Sequence, residues 1–582
     1  MSSGNISYNG GRGYGAGIFN KDYAKAEMTG GKISNNKGYV ITKDTDIQYG
    51  GGVRVCTNSL FKMTGGEISG NTANNGGGVS ITGTFEMYGG VIKDNKAEKN
   101  DYKEHTAYGK GIYFERGELK ICGSAYVAEG DDIYLYDPQM HAGTDTNIIT
   151  IAGKLTPPDE ANGIVATITP ETYAASAQVL KYELADGQTE TNLADECGKF
   201  AVMPDEENNN YTVGYDGELM TLYKISNAEQ LEDLFSRMNE QEISTENIYI
   251  SIENDLTLTN HVPFEVEVRI NENDWKTVGF KGVFDGNGHT ITIESFDKSK
   301  TWGNSKKNVN TLVCYENEGI IQNVIVKGEI ENKLEFLTGH VDAGGLCYCN
   351  AGGIVRNCWN DMSFDVSILH QTGGICAINK GLIENCINTG TIKAEFNDSN
   401  WENVYGLAGG ICGENMSSDP GVHAEGVIKN CVNYGQVEIS TTNNYALALN
   451  GIGGAICASN GQESSKQGAT YPTIEYCYWL ENCVKTGNAG TGLVTTNYMV
   501  YYDSRVRFGT ASHCNYIDSR DDGIAVHPGS AELCGNEQNS QDGPNLDENL
   551  NTYVDNTNNG VLKHWVRIQE GSNYIVVLNF ND

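Results

Sequence analysis

Residues 373–386 read Gly-Gly-Ile-Cys-Ala-Ile-Asn-Lys-Gly-Leu-Ile-Glu-Asn-Cys, and they join the two short phrases that decide the fold. Copies of Gly-Gly-Ile-Cys and Gly-x-Ile-x-Asn-Cys alternate between about residue 310 and about residue 485. Some copies vary: the first phrase has Leu346 in place of Ile and an added Ala455, and the second has Val324 in place of Cys and Val355 in place of Ile. Repeated units of about 20–50 residues with variable insertions are typical of a stacked array. Copies of the first phrase begin at Gly344, Gly373, Gly409 and Gly453, and copies of the second at Gly319, Gly353, Gly381 and Gly426, with a degenerate copy at Ile474.

A related pattern runs through the first part of the chain. The phrase Met28-Thr-Gly-Gly-Lys-Ile-Ser-Asn-Asn36 returns in modified form at Met63 and Met87, at steps of 35 and 24 residues. Short runs such as Phe61-Lys-Met63 alternate apolar and polar residues, which indicates short strands with one face inside. We expect the methionine column to fill a core. A second phrase, Gly-x-Gly followed by Ile or Val, alternates with the first at Gly15, Gly50, Gly76 and Gly109.

Strands this short, separated by tight turns rich in Gly and Asn, leave no room for crossover helices. The economical solution is a parallel β-helix, in which each coil pairs with the next at about 4.8 Å. Gly supplies a positive φ at the corners, and stacked Asn side chains can form amide ladders. The sequence therefore predicts an all-β protein made of two right-handed parallel β-helix modules in tandem, with short helical and hairpin caps.

The predicted domains follow the repeats. The first module covers residues 1–225, and its strand-rich C-terminal cap covers about 123–224. The second module covers 226–500, and a C-terminal cap made of a short helix and a hairpin covers 501–582. Ser226-Asn-Ala-Glu229 opens a capping box, and a short amphipathic helix is expected to begin the second module. The buried residues of that helix are predicted at Leu231, Leu234, Phe235 and Met238, and those of the C-terminal helix at Leu546, Leu550 and Val554.

Composition and charge exclude several classes of protein. Of 582 residues, 71 are Gly and only 10 are Pro, and the Gly residues lack the period of collagen. The formal net charge of −36 repels phosphate backbones, so we expect no nucleic-acid partner. Anionic membranes are disfavoured for the same reason. No window approaches about 18 uninterrupted apolar residues, so no membrane insertion is expected.

The quoted motifs resemble those of known surface proteins. Residues 1–225, at Met63-Thr-Gly-Gly-Glu-Ile-Ser-Gly-Asn71, resemble right-handed β-helix modules of large surface proteins from gut Firmicutes. Residues 226–500 resemble GLUG-type repeat regions of bacterial adhesins, at Phe284-Asp-Gly-Asn-Gly-His289 and in the Cys-containing phrases. The resemblance implies an extracellular location and an adhesive role. The sequence opens inside a repeat, so we expect it to be part of a longer protein that is attached to the cell surface through other segments.

The 16 cysteines fall mostly at two repeat positions. Equivalent positions stack coil on coil, so the main expectation is two ladders of small, buried thiols. Two alternatives stay open: a disulfide between neighbouring rungs, for which the strand spacing is short, and zinc, for which no CxxC pair exists. The ladder positions are Cys347, Cys376, Cys412 and Cys457 in one column and Cys358, Cys386, Cys431 and Cys477 in the other.

The sequence gives only weak evidence for catalytic residues. β-Helices also carry polysaccharide lyases and hydrolases, which need carboxylates projecting from adjacent coils. The local candidates are Asp131 with Asp132, and Asp521 with Asp522. A vicinal Asp pair on a strand points to opposite faces, so only one of each pair could serve. Asp521-Asp522-Gly523 also fits a turn.

Candidate binding residues lie in the insertions. Trp302, Trp401 and Tyr405 fall between repeats, where loops on one face of a solenoid commonly form its binding surface. We assign no metal site and no cofactor from the sequence, although the acidic composition of the chain is compatible with bound Ca²⁺. The predicted function is a non-enzymatic, monomeric, adhesin-type module that binds a host or matrix glycan or protein, immunoglobulin included. The alternatives are a glycan-active β-helix enzyme and a structural stalk.

Overall fold

A computed structural model gives the fold of the chain, which divides into two compact units, unit 1 at Met1–Leu222 and unit 2 at Tyr223–Asp582. The structure describes residues 1–11, 13–38, 47–99, 106–137, 147–271, 274–297, 306–332, 339–368, 371–396, 406–416, 426–441, 451–463, 472–480, 483–486, 506–508, 510–512, 515–517, 526–528, 545–557, 561–570 and 573–581.

Unit 1 contains three parallel sheets, because each coil contributes short strands that pair with their counterparts one coil before and after. Sheet 1a contains Asn5–Ser7, Lys25–Ser34, Leu60–Ser69, Thr84–Lys93, Glu118–Val127, Ile149–Leu155 and Leu180–Tyr182. Sheet 1b contains Ile18–Asn20, Val53–Val55, Val79–Ile81, Ile112–Phe114, Ile133–Leu135, Ala166–Pro170 and Phe200–Val202. Sheet 1c contains Gly10–Gly11, Lys37–Gly38, Thr72–Ala73 and Lys96–Ala97.

In the described parts of unit 2, four further sheets are built in the same way, except that Val506–Phe508 and Val526–Pro528 pair antiparallel with their neighbours. Sheet 2a contains Ile248–Ile252, Val283–Asp285, Ile320–Gln322, Ile354–Arg356, Leu382–Glu384, Val427–Lys429, Thr473–Glu475 and Thr510–Ser512. Sheet 2b contains Leu256–Leu258, Thr290–Ile293, Ile325–Asn332, Trp359–Ile368, Ile387–Asn388, Ile392–Phe396, Val432–Asn433, Val437–Thr441, Tyr478–Leu480, Val484–Thr486, Asn515–Ile517 and Val526–Pro528.

The other two sheets of unit 2 carry the glycine and cysteine phrases. Sheet 2c contains Lys306–Asn310, Gly339–Gly344, Gln371–Gly373, Gly406–Gly409 and Gly451–Gly454. Sheet 2d contains Cys314–Asn317, Cys347–Asn350, Cys376–Asn379, Cys412–Met416, Cys457–Glu463 and Val506–Phe508. Antiparallel hairpins are formed by Tyr211–Val213 with Leu219–Ile225, Val266–Asn271 with Asp274–Val278, and Trp565–Glu570 with Asn573–Leu578. The predicted all-β, parallel β-helix class is confirmed.

The core of each unit is a set of in-register columns. Met28, Met63 and Met87 are successive partners in sheet 1a and are buried, so their predicted role as core filler is confirmed. Because side chains alternate between the two faces of a strand, neighbouring residues point to opposite sides of the wall. In sheet 1b, Val53 and Val55 face the core, whereas Arg54 between them lies on the outer side of the wall.

The cysteine ladders of unit 2 are present as predicted. Cys347, Cys376, Cys412 and Cys457 are successive partners in sheet 2d, and Cys314 precedes them in the same column. The second column is also fully buried, and the 14 cysteines among the described residues are free thiols. Burial raises the pKa of Cys376 well above its ordinary value, so the thiol stays protonated and unreactive.

Amide ladders run along the corners of both units. In unit 1, Asn9 Nδ2 donates to Asn36 Oδ1, Asn36 Nδ2 donates to Asn71 Oδ1, and Asn71 Nδ2 donates to Asn95 Oδ1, at 2.9–3.1 Å. The stacking of asparagines expected from the sequence is confirmed. Among the described residues of unit 2, three such ladders are formed by Asn317, Asn350, Asn379 and Asn415; by Asn323, Asn357, Asn385 and Asn430; and by Asn360, Asn388 and Asn433.

The Asn of the Gly-x-Ile-x-Asn-Cys phrase turns the chain at each corner. Asn323, Asn357, Asn385 and Asn430 have φ values of 51–55°, in the left-handed region. Asn tolerates this conformation better than most residues, because its short polar side chain can hydrogen-bond locally. The phrase therefore specifies a corner and a ladder rung with one residue.

The helix at the start of unit 2 differs from its prediction by one residue at its first turn. The helix covers Ala228–Asn239, and its N-cap is Asn227, whose side chain accepts a hydrogen bond from the Gln230 N–H at 3.0 Å. Gln230 Oε1 in turn accepts from the Ser226 N–H at 2.7 Å. The capping box proposed for Ser226 and Glu229 is thus shifted, because Asn227 is an equally good cap. The four predicted core residues are buried. Unit 1 also has a short helix, Leu193–Cys197, and a 3-10 turn, Asp159–Ala161.

The C-terminal tail of unit 2 packs against one of these ladders. It consists of the helix Leu546–Thr557 and the hairpin Trp565–Glu570 with Asn573–Leu578, close to the predicted elements. The indole Nε1 of Trp565 donates to Asn385 Oδ1 at 2.6 Å. The Tyr553 hydroxyl donates to Glu384 Oε1 at 2.6 Å. The tail therefore covers polar corners that would otherwise face solvent.

Candidate functional site

The structure gives Asp131 a role within the wall of unit 1. Its side chain is 4% exposed, and Oδ2 accepts a hydrogen bond from Asn95 Nδ2 at 2.8 Å while Oδ1 accepts from the Asn95 N–H at 3.1 Å. Asp131 therefore occupies the next rung of the asparagine ladder. Burial raises the pKa of Asp131 to about 6, because the charged form is poorly solvated there.

Asp132 is also buried, so the expectation of opposite faces does not apply to this pair. Both residues precede the strand Ile133–Leu135 instead of lying within it. Asp132 Oδ1 accepts a hydrogen bond from the Lys110 N–H at 2.7 Å, and burial raises the pKa of Asp132. The oxygens of the two carboxylates accept hydrogen bonds from neighbouring coils, so the pair holds coils together.

The other residues proposed from the sequence lie outside the described residues. These are the candidate carboxylates Asp521 and Asp522 and the candidate binding aromatics Trp302, Trp401 and Tyr405. Their roles stay predictions.

A cleft of about 500 Å³ lies on the outer wall of unit 2, across four neighbouring strands of sheet 2b. Its polar lining comes from residues that alternate with buried core residues such as Phe364, so these side chains point away from the core. We call this the side-wall cleft. It is lined by Glu329, Ile330, Glu331, Ser363, Phe364, Asp365, Thr391, Lys393, Gln436 and Glu438.

The charged residues of the side-wall cleft form a continuous row. Glu331 pairs with Asp365, Asp365 with Lys393, and Lys393 with Glu438 in the register of the parallel strands. Neighbouring strands are about 4.8 Å apart, so four ionisable groups lie within roughly 15 Å. With Glu329, the cleft holds four carboxylates and one ammonium group. The site is acidic, and the single lysine lies in the middle of it.

Hydroxyl and amide groups complete the lining beside this row. Ser363 lies on the strand Trp359–Ile368, and Thr391 and Gln436 immediately precede the next two strands of the cleft. Ser363 Oγ accepts a hydrogen bond from the Thr391 N–H at 3.0 Å. Gly390 permits the close approach of the strands here, because a Cβ atom at Gly390 would collide with the Met362 carbonyl oxygen. The cleft thus offers acceptors and donors on a rigid backbone, an arrangement that suits ligands rich in hydroxyl groups.

Sequence reasoning missed the cleft because its residues are far apart along the chain. Asp365 and Lys393 are 28 residues apart, and Lys393 and Glu438 are 45 residues apart. The available signal was the polar residues alternating with apolar ones after each Asn-Cys phrase, as in Ile392-Lys-Ala-Glu-Phe396. Their mutual register depends on insertions of variable length, which the phrases do not fix.

No family model and no curated protein matches the chain. Among solved structures, the crystal structure at 1.30 Å resolution of a "putative immunoglobulin A1 protease" from Bacteroides ovatus is similar, with 16% sequence identity over 62% of this chain and 93% of that chain and a TM-score of 0.31. No helix in the described parts of the chain is long and apolar enough to cross a membrane. The described residues also contain no group of three or more His, Cys, Asp or Glu side chains arranged to hold a metal ion.

Proposed function

We propose that this chain is a non-enzymatic, extracellular binding module of adhesin type, which holds a host or matrix glycan on its side wall. The observation that supports the proposal is the side-wall cleft, with its mixed lining of carboxylates, amide, hydroxyls and one ammonium group. Sugars are recognised through hydroxyl groups that both donate and accept hydrogen bonds. Carboxylates accept them, Lys393 donates them, and Gln436 does both.

The wall is rigid, and this favours the binding of a ligand, such as a glycan, that makes only weak individual contacts. The cleft residues lie on paired strands whose alternate side chains are packed in the core, so little conformational entropy is lost when a glycan binds. A solenoid that repeats the same wall over several coils also suits an extended polymer. In this proposal the acting species is the monomer, and its attachment to the cell depends on other segments of the protein.

A glycan array and a serum-protein array that includes immunoglobulin, run in parallel with and without Ca²⁺, test the proposal. We expect retention of specific glycans, and Asp365→Ala should weaken the retained interaction at least fivefold by loss of a hydrogen-bond acceptor in the cleft. Glu118→Gln is the matched control, because Glu118 is an outward carboxylate on sheet 1a of unit 1. Equal retention by Asp365→Ala and Glu118→Gln would contradict a glycan site in the cleft.

A glycan-active enzyme is the second candidate, and the carboxylate row favours it. Glu331 and Asp365 lie on neighbouring strands, and Asp365 and Glu438 lie two strands apart. These backbone spacings of about 5 and 10 Å bracket the carboxylate separations of about 5–9.5 Å that glycosidases use. Release of reducing sugar or of an unsaturated product from any retained glycan would identify an enzyme, whereas retention without release supports the binding module. No retention on either array would favour a stalk.

A further inference from the structure

A second surface, on unit 1, has a chemistry of its own. Two adjacent columns on the outer wall of unit 1 carry aromatic rings, one through Tyr14 and Tyr49 beside sheet 1b and the other through Phe19 and Tyr113 on sheet 1b. Centroids of neighbouring rings are 4.4–6.1 Å apart, so the contacts run without interruption along the wall. We call this surface the aromatic strip. It consists of Tyr14, Phe19, Tyr49, Tyr108, Tyr113, Tyr134 and Tyr136.

The strip already holds one guanidinium group. The third coil contributes Asn75 and Ser80 to the two columns in place of rings, and Arg54 reaches into the space that these smaller residues leave. The Arg54 Cζ atom lies 4.7 Å from the ring centroid of Tyr49, and its Nη1 donates to Ser80 Oγ. Its Nη2 forms an ion pair with Glu115 Oε2 at 3.0 Å. The wall therefore binds a cation by a ring face, a hydroxyl and a carboxylate together.

A second cation lies at the exposed end of the strip. Lys21 Nζ is 5.6 Å from the ring centroid of Phe19 and pairs with Asp22 at 3.3 Å. Tyr14 is 52% exposed and Phe19 is 42% exposed, so these two rings present the largest accessible area of the strip. The accessible rings thus lie next to cations that belong to the chain itself.

Carboxylates give the strip a negative potential. Burial raises the pKa of Tyr49, and Glu115 raises it further. Burial, Glu171 and Glu115 together raise the pKa of Tyr136. The hydroxyls therefore stay protonated, and the neutral rings keep the negative faces that attract cations. Asn75 Oδ1 is buried beside this surface and accepts no hydrogen bond from any residue of the described ranges.

We propose that the aromatic strip binds an extended, arginine- and lysine-rich segment of a protein partner. Arg54 shows how the wall holds a guanidinium on a ring face beside a carboxylate. Tyr113 and Tyr134 are buried, so the partner's side chains would use the exposed ring faces of Tyr14 and Phe19. Charge complementarity supports this occupant, because the chain carries a net charge of −36 and Glu115, Glu171 and Asp137 lie near Tyr136 at one end of the strip.

Lys21, the cation at the exposed end of the strip, allows a test. Its removal should change peptide binding in a way that a purely structural role of the rings would not. Lys21 competes with an incoming cation for the Phe19 face. Lys21→Ala should therefore increase the affinity for a basic peptide at least twofold. Loss of the ring faces in the double variant Tyr14→Ala/Phe19→Ala should weaken binding at least fivefold, although the net charge of the chain is unchanged.

The measurement is fluorescence polarisation of a labelled peptide of six Arg-Gly repeats with the full chain, at about 50 and 300 mM salt. A peptide in which citrulline replaces arginine is the neutral control. Tyr23→Ala is the matched protein control, because Tyr23 is 75% exposed and lies outside the strip. Thermal unfolding of every variant confirms that unit 1 is folded.

Binding that falls with Tyr14→Ala/Phe19→Ala, stays with Tyr23→Ala and is absent with citrulline supports the proposal. Equal affinity of the double variant and the unmodified chain would overturn it, since net charge alone would then explain peptide binding. Loss of binding with Asp365→Ala instead would place the peptide in the side-wall cleft and also overturn it. Self-association that the double variant abolishes, without peptide binding, would identify a second copy of the chain as the occupant. The glycan array is independent of these outcomes.

Discussion

Unit 1 and unit 2 stack their coils with the same amide ladders but complete these ladders differently. In unit 1 the ladder from Asn9 to Asn95 ends at a buried carboxylate, Asp131, which accepts hydrogen bonds from the backbone N–H and the side-chain amide of Asn95. In unit 2 the ladder that includes Asn385 is covered by a separate element, the C-terminal tail. A repeated phrase can therefore specify the rungs of a ladder, whereas the residues that complete it must be supplied from outside the repeat.

The largest expected effect concerns the tail. Trp565→Ala removes a buried indole and its hydrogen bond to Asn385, and large-to-small changes of this kind cost about 3–5 kcal/mol. Urea unfolding followed by circular dichroism should show the loss in unit 2 alone. Ile568→Ala on the same hairpin, where the side chain is exposed, should change stability by no more than about 0.5 kcal/mol. Similar effects of the two variants would mean that the tail does not stabilise the ladder.

The next comparison is between the middle and the end of the unit 1 ladder. Asn71→Ala removes hydrogen bonds to Asn36, Asn95 and the Ile33 carbonyl, and it leaves buried donors without partners, so we expect a loss of about 2–4 kcal/mol. Asn9→Ala at the exposed first rung should cost no more than about 1 kcal/mol. Thermal and urea unfolding measure both. Equal losses would contradict the dependence on burial.

A smaller effect, a gain in stability instead of a loss, is expected when Asp131 is replaced. Its pKa of about 6 in the folded chain exceeds the value of about 3.9 in unfolded chains, so its contribution to stability falls as the pH rises from about 4 to about 6. Asp131→Asn cannot ionise and keeps an oxygen that accepts from Asn95. The variant should be about 1 kcal/mol more stable than the unmodified chain at pH 7, and this gain should vanish near pH 4.

Unfolding at pH 4, 5, 6 and 7 checks the Asp131 prediction, with Glu118→Gln as the control because Glu118 is an exposed carboxylate of unit 1. A gain that is independent of pH would show that a cause other than ionisation stabilises the variant.

The smallest effect is expected in the cysteine ladder of unit 2. Cys412→Ala leaves a cavity of one sulfur atom in sheet 2d and should cost about 1 kcal/mol, whereas Cys56→Ala in unit 1, at a half-buried position, should cost less. Thiol titration complements this comparison. The denatured chain should titrate close to 16 thiols, and the native chain far fewer. A low count in denaturant would indicate disulfides and contradict the ladder of free thiols.

The repeats were enough to predict the fold class and the stacked columns. The phrase Gly-x-Ile-x-Asn-Cys places an Asn at each corner and a Cys in the core, and the structure has Asn385 and Cys386 in these places. The N-cap of the helix was missed by one residue, because Ser226 and Asn227 are both good caps and only the geometry distinguishes them.

Sites that depend on register between distant coils could not be predicted. The side-wall cleft exists because Asp365 and Lys393 are direct partners, and an insertion of one residue between them would move either side chain to the other face. The aromatic strip has the same origin, since Tyr49 and Tyr113 meet across a coil that contributes only Asn75 and Ser80. The position of Asp131 as the next rung after Asn95 has the same origin, because nothing in its local sequence shows this pairing.

The amide-to-amide hydrogen bonds of the unit 1 ladder all point the same way, which gives this row of bonds a polarity. The side-chain amides of Asn36, Asn71 and Asn95 also donate to a carbonyl oxygen of the preceding coil. Each amide from Asn9 to Asn95 donates toward the coil of higher number, and Asp131 has no proton to pass on when it is ionised. Aligned N–H groups concentrate partial positive charge at the receiving end, much as a helix does at its N-terminus. An engineer could therefore lengthen this array by inserting coils ahead of Asp131, whereas a coil added beyond it would receive no amide proton.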